Sequence, residues 1–133
     1  MIVDSSVLVS ILRGEPEAEA FGAAITANPE PVMSAGNYLE TSIVIDKDRD
    51  AVLSAKLDAL INELEIEIVP VTATQAKLAR QAYRDFGKNS GHPAKLNFGD
   101  CFAYALATER GGPLLYKGDD FAAAGFAPVV TAA

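Results

Sequence analysis

Four apolar runs, Ile2 to Asp4, Val32 to Ser34, Ile66 to Val71 and Pro113 to Tyr116, are too short for helices, and stretches with helical spacing separate them. Such a chain lays its strands side by side in one direction and carries each connection across a face of the sheet. The expectation is an α/β fold of three layers (α/β/α), with a central, mostly parallel sheet covered by helices on both faces. A length of 133 residues suits one domain, 1–133, and leaves no room for a second with its own core.

The first helix is expected over Val7 to Arg13, capped by Ser5 or Ser6 and closed by Gly14. A second reads from Glu15 to Ala27 and ends at the Asn28-Pro29-Glu30-Pro31 breaker; a third covers about Ala35 to Asp46. Leu53, Leu57, Leu60, Ile61 and Leu64 form the apolar stripe of a fourth, Asp50 to Leu64. Gln75 to Phe86 and Gly99 to Arg110 follow, joined by a loop over Gly87 to Asn97 that is rich in Gly, Pro, Asn and Ser. Val129 to Thr131 is a candidate edge strand, and nothing in the Ala-rich tail beyond it assigns a structure.

Asp4 and Arg13 interrupt the apolar N-terminal stretch, which therefore reads neither as a signal peptide nor as a membrane span, and makes a cytoplasmic location the default. One cysteine, Cys101, and one histidine, His92, exclude disulfide frameworks, Cys/His zinc sites and mechanisms that need two imidazoles. Cys101 reads as a small buried hydrophobe and His92 as a loop residue. Catalysis then falls to carboxylates. The net charge of -7 argues against a nucleic-acid binder when taken whole, yet the charge is divided unevenly. Residues 1–70 hold 13 acids and 4 bases, whereas residues 71–133 hold 5 acids and 7 bases.

Ligands of open parallel sheets bind outside the carboxyl ends of the strands, so acids that close strands carry weight. Asp4 closes the first strand, and Asp119 and Asp120 follow the last by a Lys-Gly turn. Glu40, flanked by Leu39, Ile43 and Val44, lies on or beside an apolar helix face, and Asp100 opens the apolar helix FGDCFAYALA. Taken singly, each Asp also reads as an ordinary helix cap, and Glu40 as an exposed helix-edge acid. Crowded at one sheet edge, they repel one another unless a divalent cation neutralises them, and oxygen ligands suit Mg2+, with Mn2+ as a substitute. The corresponding chemistry is hydrolysis of a phosphodiester by a metal-activated water.

The strings IVDSSVL, SAGNYLETSIV, LNFGDCFAYALA and PLLYKGDDF, in this order over nearly the whole chain, resemble the successive motifs of PIN-domain ribonucleases of the VapC toxin type. The resemblance implies a Mg2+-dependent endoribonuclease of a toxin–antitoxin system. Its partners would be RNA and a VapB-type antitoxin, in a homodimer that joins a toxin–antitoxin hetero-oligomer. An acidic metal pocket also accepts a guanidinium, so an inserted Arg or Lys is the expected mode of inhibition. By motif, Asp4, Glu40 and Asp100 match the first three acids of the family, with Asp4 and Asp100 as metal ligands. Asp120, just before Phe121, matches the fourth and Asp119 is the reserve; Ser6 matches a small hydroxyl near the metal. The chain departs from the family where Tyr116-Lys117-Gly118 replaces a frequent Thr or Ser.

A catalytically inactive PIN-fold binding module, whose acids only anchor a partner's Arg, is the alternative. A phosphorelay receiver needs an acid after a middle strand, where Val69-Pro70-Val71 offers none, and a haloacid-dehalogenase-type phosphatase needs a second Asp at position 6, which is Ser6.

Lys77, Arg80, Arg84 and Lys88, spaced three, four and four apart, form a basic stripe that His92 and Lys95 continue, with Lys117 beyond the last strand. The same spacing describes a solvated helix face. If the stripe neutralises phosphates, replacing Arg80 and Arg84 together by Ala weakens RNA binding alike for all sequences. It also flattens the salt dependence by a slope of about 0.7 for each single-strand phosphate left without its cation; a wild-type slope in that variant identifies a solvated face.

Overall fold

The structure, a computed structural model, describes residues 1–130. Strands β1 (Ile2–Val3), β2 (Val32–Ser34), β3 (Glu67–Val69) and β4 (Leu114–Leu115) form one all-parallel sheet in the order β3-β2-β1-β4. The helices are α1 (Ser5–Leu12), α2 (Ala18–Thr26), α3 (Ala35–Asp46), α4 (Ala51–Glu63), α5 (Ala73–Phe86), α6 (Phe98–Arg110) and the short α7 (Asp120–Ala123).

Successive strand residues point to opposite faces, and the two resulting cores are separate. Ile2, Val32, Val69 and Leu114 pack with Leu96 and with Cys101, Ala103 and Leu106 of α6. Val3, Met33 and Leu115 pack instead with Val7 and Leu8 of α1, Phe21 and Ile25 of α2, and Leu57 and Ile61 of α4. The three expected layers are therefore present. From β1 the chain steps outward through β2 to β3, then returns so that β4 lies on the other side of β1. The strand order reverses beside β1, where an open parallel sheet forms its crevice.

Several boundaries differ from expectation for identifiable reasons. Asp4, not Ser5 or Ser6, caps α1: it has extended backbone and its carboxylate accepts from the Ser6 N–H, so both serines are inside the helix. β3 stops at Val69 because Pro70 has no N–H to continue the ladder. α2 begins at Ala18, after a turn that contains Pro16. Lys88 lies beyond the end of α5, so the helix itself carries only Lys77, Arg80 and Arg84 of the stripe. The candidate edge strand does not form at Val129 and Val130, which make a bend, and Thr131 lies outside the described residues. At four residues, α7 is too short to show a period.

The Gly87 to Asn97 segment is irregular but tied down. Lys88 N–H donates to Leu96 O at 3.0 Å and Leu96 N–H to Phe86 O at 2.8 Å, while Ala94 and Leu96 are fully buried. Lys95 between them takes a left-handed φ of 51° and stays exposed. His92 is used locally: its Nδ1 accepts from Ala94 N–H at 3.0 Å and its ring meets Phe86 edge-on. No helix among the described residues is long and apolar enough to cross a membrane.

Because α6 lies along the sheet with Leu106 wholly buried, Leu106→Ala leaves a cavity at the centre of the fold. A destabilisation of about 2–5 kcal/mol is expected in urea unfolding; a loss below about 1 kcal/mol would contradict this packing.

Candidate active site

All four strands end at one edge, and four acids reach it by different routes. Asp4 follows β1 directly and is buried. Its Oδ2 accepts from Ser6 N–H at 3.0 Å and from the Ser6 hydroxyl at 2.6 Å, while its Oδ1 is buried without a partner. Ser6 Oγ in turn accepts from Lys117 N–H at 3.0 Å, so one hydroxyl joins the exit of β1 to the exit of β4. Burial pushes the Asp4 carboxyl up to about 7 against the pull of both Ser6 hydrogen bonds, and the charges of Asp100 and Glu40 add to the rise.

Asp100 occupies the first turn of α6 within a capping box: Asn97 Oδ1 accepts from Asp100 N–H at 2.9 Å, and Asp100 Oδ2 accepts from Asn97 N–H at 3.0 Å. Partial burial lifts its carboxyl to about 6; the Asn97 backbone bond opposes this, Asp120 and Glu40 reinforce it, and Lys88 lowers it.

Glu40 is half-buried on α3, and its carboxylate lies against the Cα of Gly99, where any side chain would overlap it. Asn37, fully buried one turn earlier, ties this junction together. Its Nδ2 donates to Gly99 O at 2.9 Å and to Glu40 Oε1 at a longer 3.4 Å, and its backbone carbonyl accepts from the Ser5 hydroxyl at 3.1 Å. Gly36, whose Cα faces the Phe102 ring, allows the same close approach of α3 to α6. Sequence reading missed Asn37 and Gly99, because no periodicity marks a side chain that bonds across 62 residues.

Asp119 and Asp120 are both exposed at the start of α7, and they face different neighbours. The charge of Asp120 reaches Asp100, whereas that of Asp119 reaches Tyr116. Lys117 is engaged: its ammonium pairs with Glu15 and Glu17, each at 2.9 Å, and both raise its pKa. Lys77, Arg80, Arg84, Lys88 and Lys95 are exposed, and the charge of Lys88 reaches Asp100.

Among the described residues no three acidic, His or Cys side chains converge closely enough to enclose an ion by themselves. Mg2+ rarely requires that, since it keeps several waters and binds through one or two carboxylates. The orphaned Asp4 Oδ1, buried and within the field of two further carboxylates, is what such an ion would satisfy, and the donor set is oxygen throughout. The residues therefore fit a hard divalent cation.

Residues 1–127 match the family described as PIN domain. The chain is 54% identical over 121 residues to ribonuclease VapC28 of Mycobacterium tuberculosis, an alignment that covers 91% of each chain. In fold it is similar to the solved structure of M. tuberculosis VapC20, described as a Sarcin-Ricin loop cleaving toxin, with a TM-score of 0.73, 20% identity and 96% and 97% of the two chains covered. A toxin–antitoxin complex from Klebsiella pneumoniae gives a TM-score of 0.68 at 17% identity, covering 91% and 89%.

The protonation of Asp4 leads to a stability test. A carboxyl at about 7 when folded and 3.8 when unfolded binds its proton more tightly in the fold, so its contribution is full below about pH 4 and is lost as pH rises to about 7. Asp4→Asn keeps an oxygen for the Ser6 N–H and removes that loss. In chelator-treated protein, urea unfolding should show the variant matching wild type near pH 4 and exceeding it at pH 8, by up to about 4 kcal/mol. A variant less stable than wild type at pH 8 would contradict this account of the site.

Proposed function

The chain belongs to the PIN-domain family, among the VapC ribonucleases, and we propose that it is a Mg2+-dependent endoribonuclease toxin that hydrolyses RNA phosphodiester bonds at the acidic edge of the sheet. The observation that carries this reading is Asp4: a buried carboxylate with one oxygen unpartnered, at the end of a central strand and in the field of Glu40 and Asp100.

In this reading Asp4 and Asp100 hold the cation, with Ser6 fixing the Asp4 carboxylate from behind. When bound, Mg2+, or Mn2+ in its place, neutralises charge on the phosphoryl group and acidifies an attacking water. Glu40, pinned by Asn37 and seated on Gly99, and Asp120, exposed at the start of α7, would orient an attacking water and accept its proton. Asp120 is preferred to Asp119 as the fourth acid because its charge reaches Asp100. Lys77, Arg80, Arg84, Lys88 and Lys95 carry the RNA backbone, and Lys117 joins them only if it leaves Glu15 and Glu17.

The reading also includes one PIN domain over 1–133, a cytoplasmic location, and a homodimer held inactive by a VapB-type antitoxin in a hetero-oligomer. An Arg or Lys of the antitoxin would neutralise the same acids; the toxin–antitoxin complex from Klebsiella that contains a chain of this fold is consistent with such a partner.

Purified protein on total RNA tests the reading. Cleavage is expected with Mg2+ or Mn2+ and not with EDTA, and Asp4→Asn or Asp100→Asn should cost roughly a hundredfold or more while the fold persists. Attack by water on phosphorus, with the P–O3′ bond breaking and the 3′-oxygen leaving as a hydroxyl after it takes a proton from solvent, needs no 2′-hydroxyl; 5′-phosphate and 3′-hydroxyl ends are expected, and a 2′-deoxy nucleotide at the cut site should still be cleaved. Cyclic phosphate ends, or cleavage in EDTA, would refute the mechanism; a metal-binding protein that cleaves nothing would support the inactive module.

A further inference from the structure

β4 is two residues long, and its ladder with β1 stops just past Leu115. Asp4 N–H donates to Leu115 O at 3.0 Å, but Asp4 O, the next acceptor along β1, is taken by Val7 N–H at 3.1 Å as α1 begins. Lys117 N–H therefore donates to a side chain, Ser6 Oγ, at 3.0 Å. Among the described residues no backbone–backbone hydrogen bond joins Tyr116, Lys117 or Gly118 to the rest of the sheet. Gly118, with a left-handed φ of 95°, then turns the chain toward α7. A segment so sparsely bonded is held by its side chains: the buried Tyr116, whose hydroxyl donates to Phe126 O at 2.7 Å, and Lys117.

The Lys117 ammonium crosses to the turn between α1 and α2, where it lies 2.9 Å from Glu15 Oε2 and 2.9 Å from Glu17 Oε2. That turn is stiff. Glu15 N–H donates to Ser10 O and Ala18 N–H to Glu15 O, each at 3.0 Å, and Pro16 fixes φ between the two acids. Glu17 precedes α2 but makes no side-chain cap bond, so its carboxylate is left to Lys117. One ammonium between two carboxylates is a network rather than an isolated surface pair, and it holds its geometry better.

A serine hydroxyl has one proton and two lone pairs. With Lys117 N–H on a lone pair, the Ser6 proton goes to Asp4 Oδ2 at 2.6 Å, an oxygen that Ser6 N–H also holds. Oδ2 is thereby committed to the fold, and Oδ1 is the oxygen left for a cation. We infer that Lys117 is a positioning residue for the metal site: clasped by Glu15 and Glu17, it holds the exit of β4 so that its N–H orients Ser6, and Ser6 orients Asp4. The inference rests on the reading of Asp4 as a metal ligand and gives Lys117 a task other than RNA binding.

Calorimetric titration of the metal-free, full-length protein with Mn2+ reads the effect without turnover. Lys117→Met, which keeps an unbranched stem and removes the ammonium, is the decisive variant. Charge alone makes it bind Mn2+ more tightly, because a cation near the acids is gone. A positioning role makes it bind roughly tenfold more weakly, at a temperature where it is fully folded. Glu15→Gln with Glu17→Gln should show a similar loss, and Lys117→Arg should restore wild-type affinity. In a Ser6→Ala background neither the Met nor the Gln changes should weaken Mn2+ binding further; a further loss there would overturn transmission through Ser6. If Lys117→Met does not fold, the Gln pair carries the same test through that background. In EDTA, Lys117→Met should bind single-stranded RNA with the wild-type salt slope. A slope flatter by about 0.7 with unchanged Mn2+ affinity identifies a phosphate contact and overturns the inference. Unchanged or tighter Mn2+ binding with only a lower unfolding temperature also overturns it, and Asp4 remains a metal ligand. If the wild type itself binds no Mn2+, the metal reading falls and the inference falls with it.

Discussion

The burial of one carboxylate at the end of a central strand shapes everything around it. Asp4 serves the fold with one oxygen, which caps α1 through Ser6, and leaves the other buried and unpartnered. Half of a carboxylate without hydrogen bonds is unfavourable in a protein interior, and two more acids in range make it more so. A chain that only needed an α1 cap could use Asn or Ser at that position. On the proposed function the arrangement is a site kept ready for a cation, to which α3 and α6 bring further carboxylates.

That delivery depends on unusually close packing. Glu40 reaches Asp100 only because Gly99 has no side chain and because Asn37 bonds both sides of the junction, while Gly36 admits the Phe102 ring. The charge asymmetry of the chain resolves in the same terms. The acidic half places Glu15 and Glu17 on Lys117, and the basic half leaves Lys77, Arg80, Arg84, Lys88 and Lys95 exposed. Exposed cations gathered on one half of the chain are what an acidic protein would need to attract a polyanion, as the proposed function requires.

The alternation of short apolar runs with helical stripes was enough to read the layered parallel fold, because period two and period 3.6 are local properties. The rule that ligands gather at carboxyl ends of strands likewise singled out Asp4 and the Asp119-Asp120 pair from the chain alone. What stayed hidden was set by distant partners. In the sequence Lys117 groups with the cations for RNA because its partner Glu15 lies 102 residues away, and Asn37 reads as an ordinary helix residue because Gly99 lies 62 residues on. The basic stripe seemed to run on to Lys88 because residue spacing continues smoothly past the point where Gly87 leaves the helix. Nothing in Gly-Asp-Asp indicated that the two acids face different neighbours, a distinction made by the turn into α7.

The central claim is that Asp4 and Asp100 hold a divalent cation. Calorimetric titration of the metal-free protein with Mn2+ tests it without RNA, antitoxin or turnover. The account predicts saturable binding that raises the unfolding temperature of wild type, with both effects lost in Asp4→Asn although that variant remains folded. Absence of binding to wild type, or binding that Asp4→Asn leaves unchanged, would contradict it.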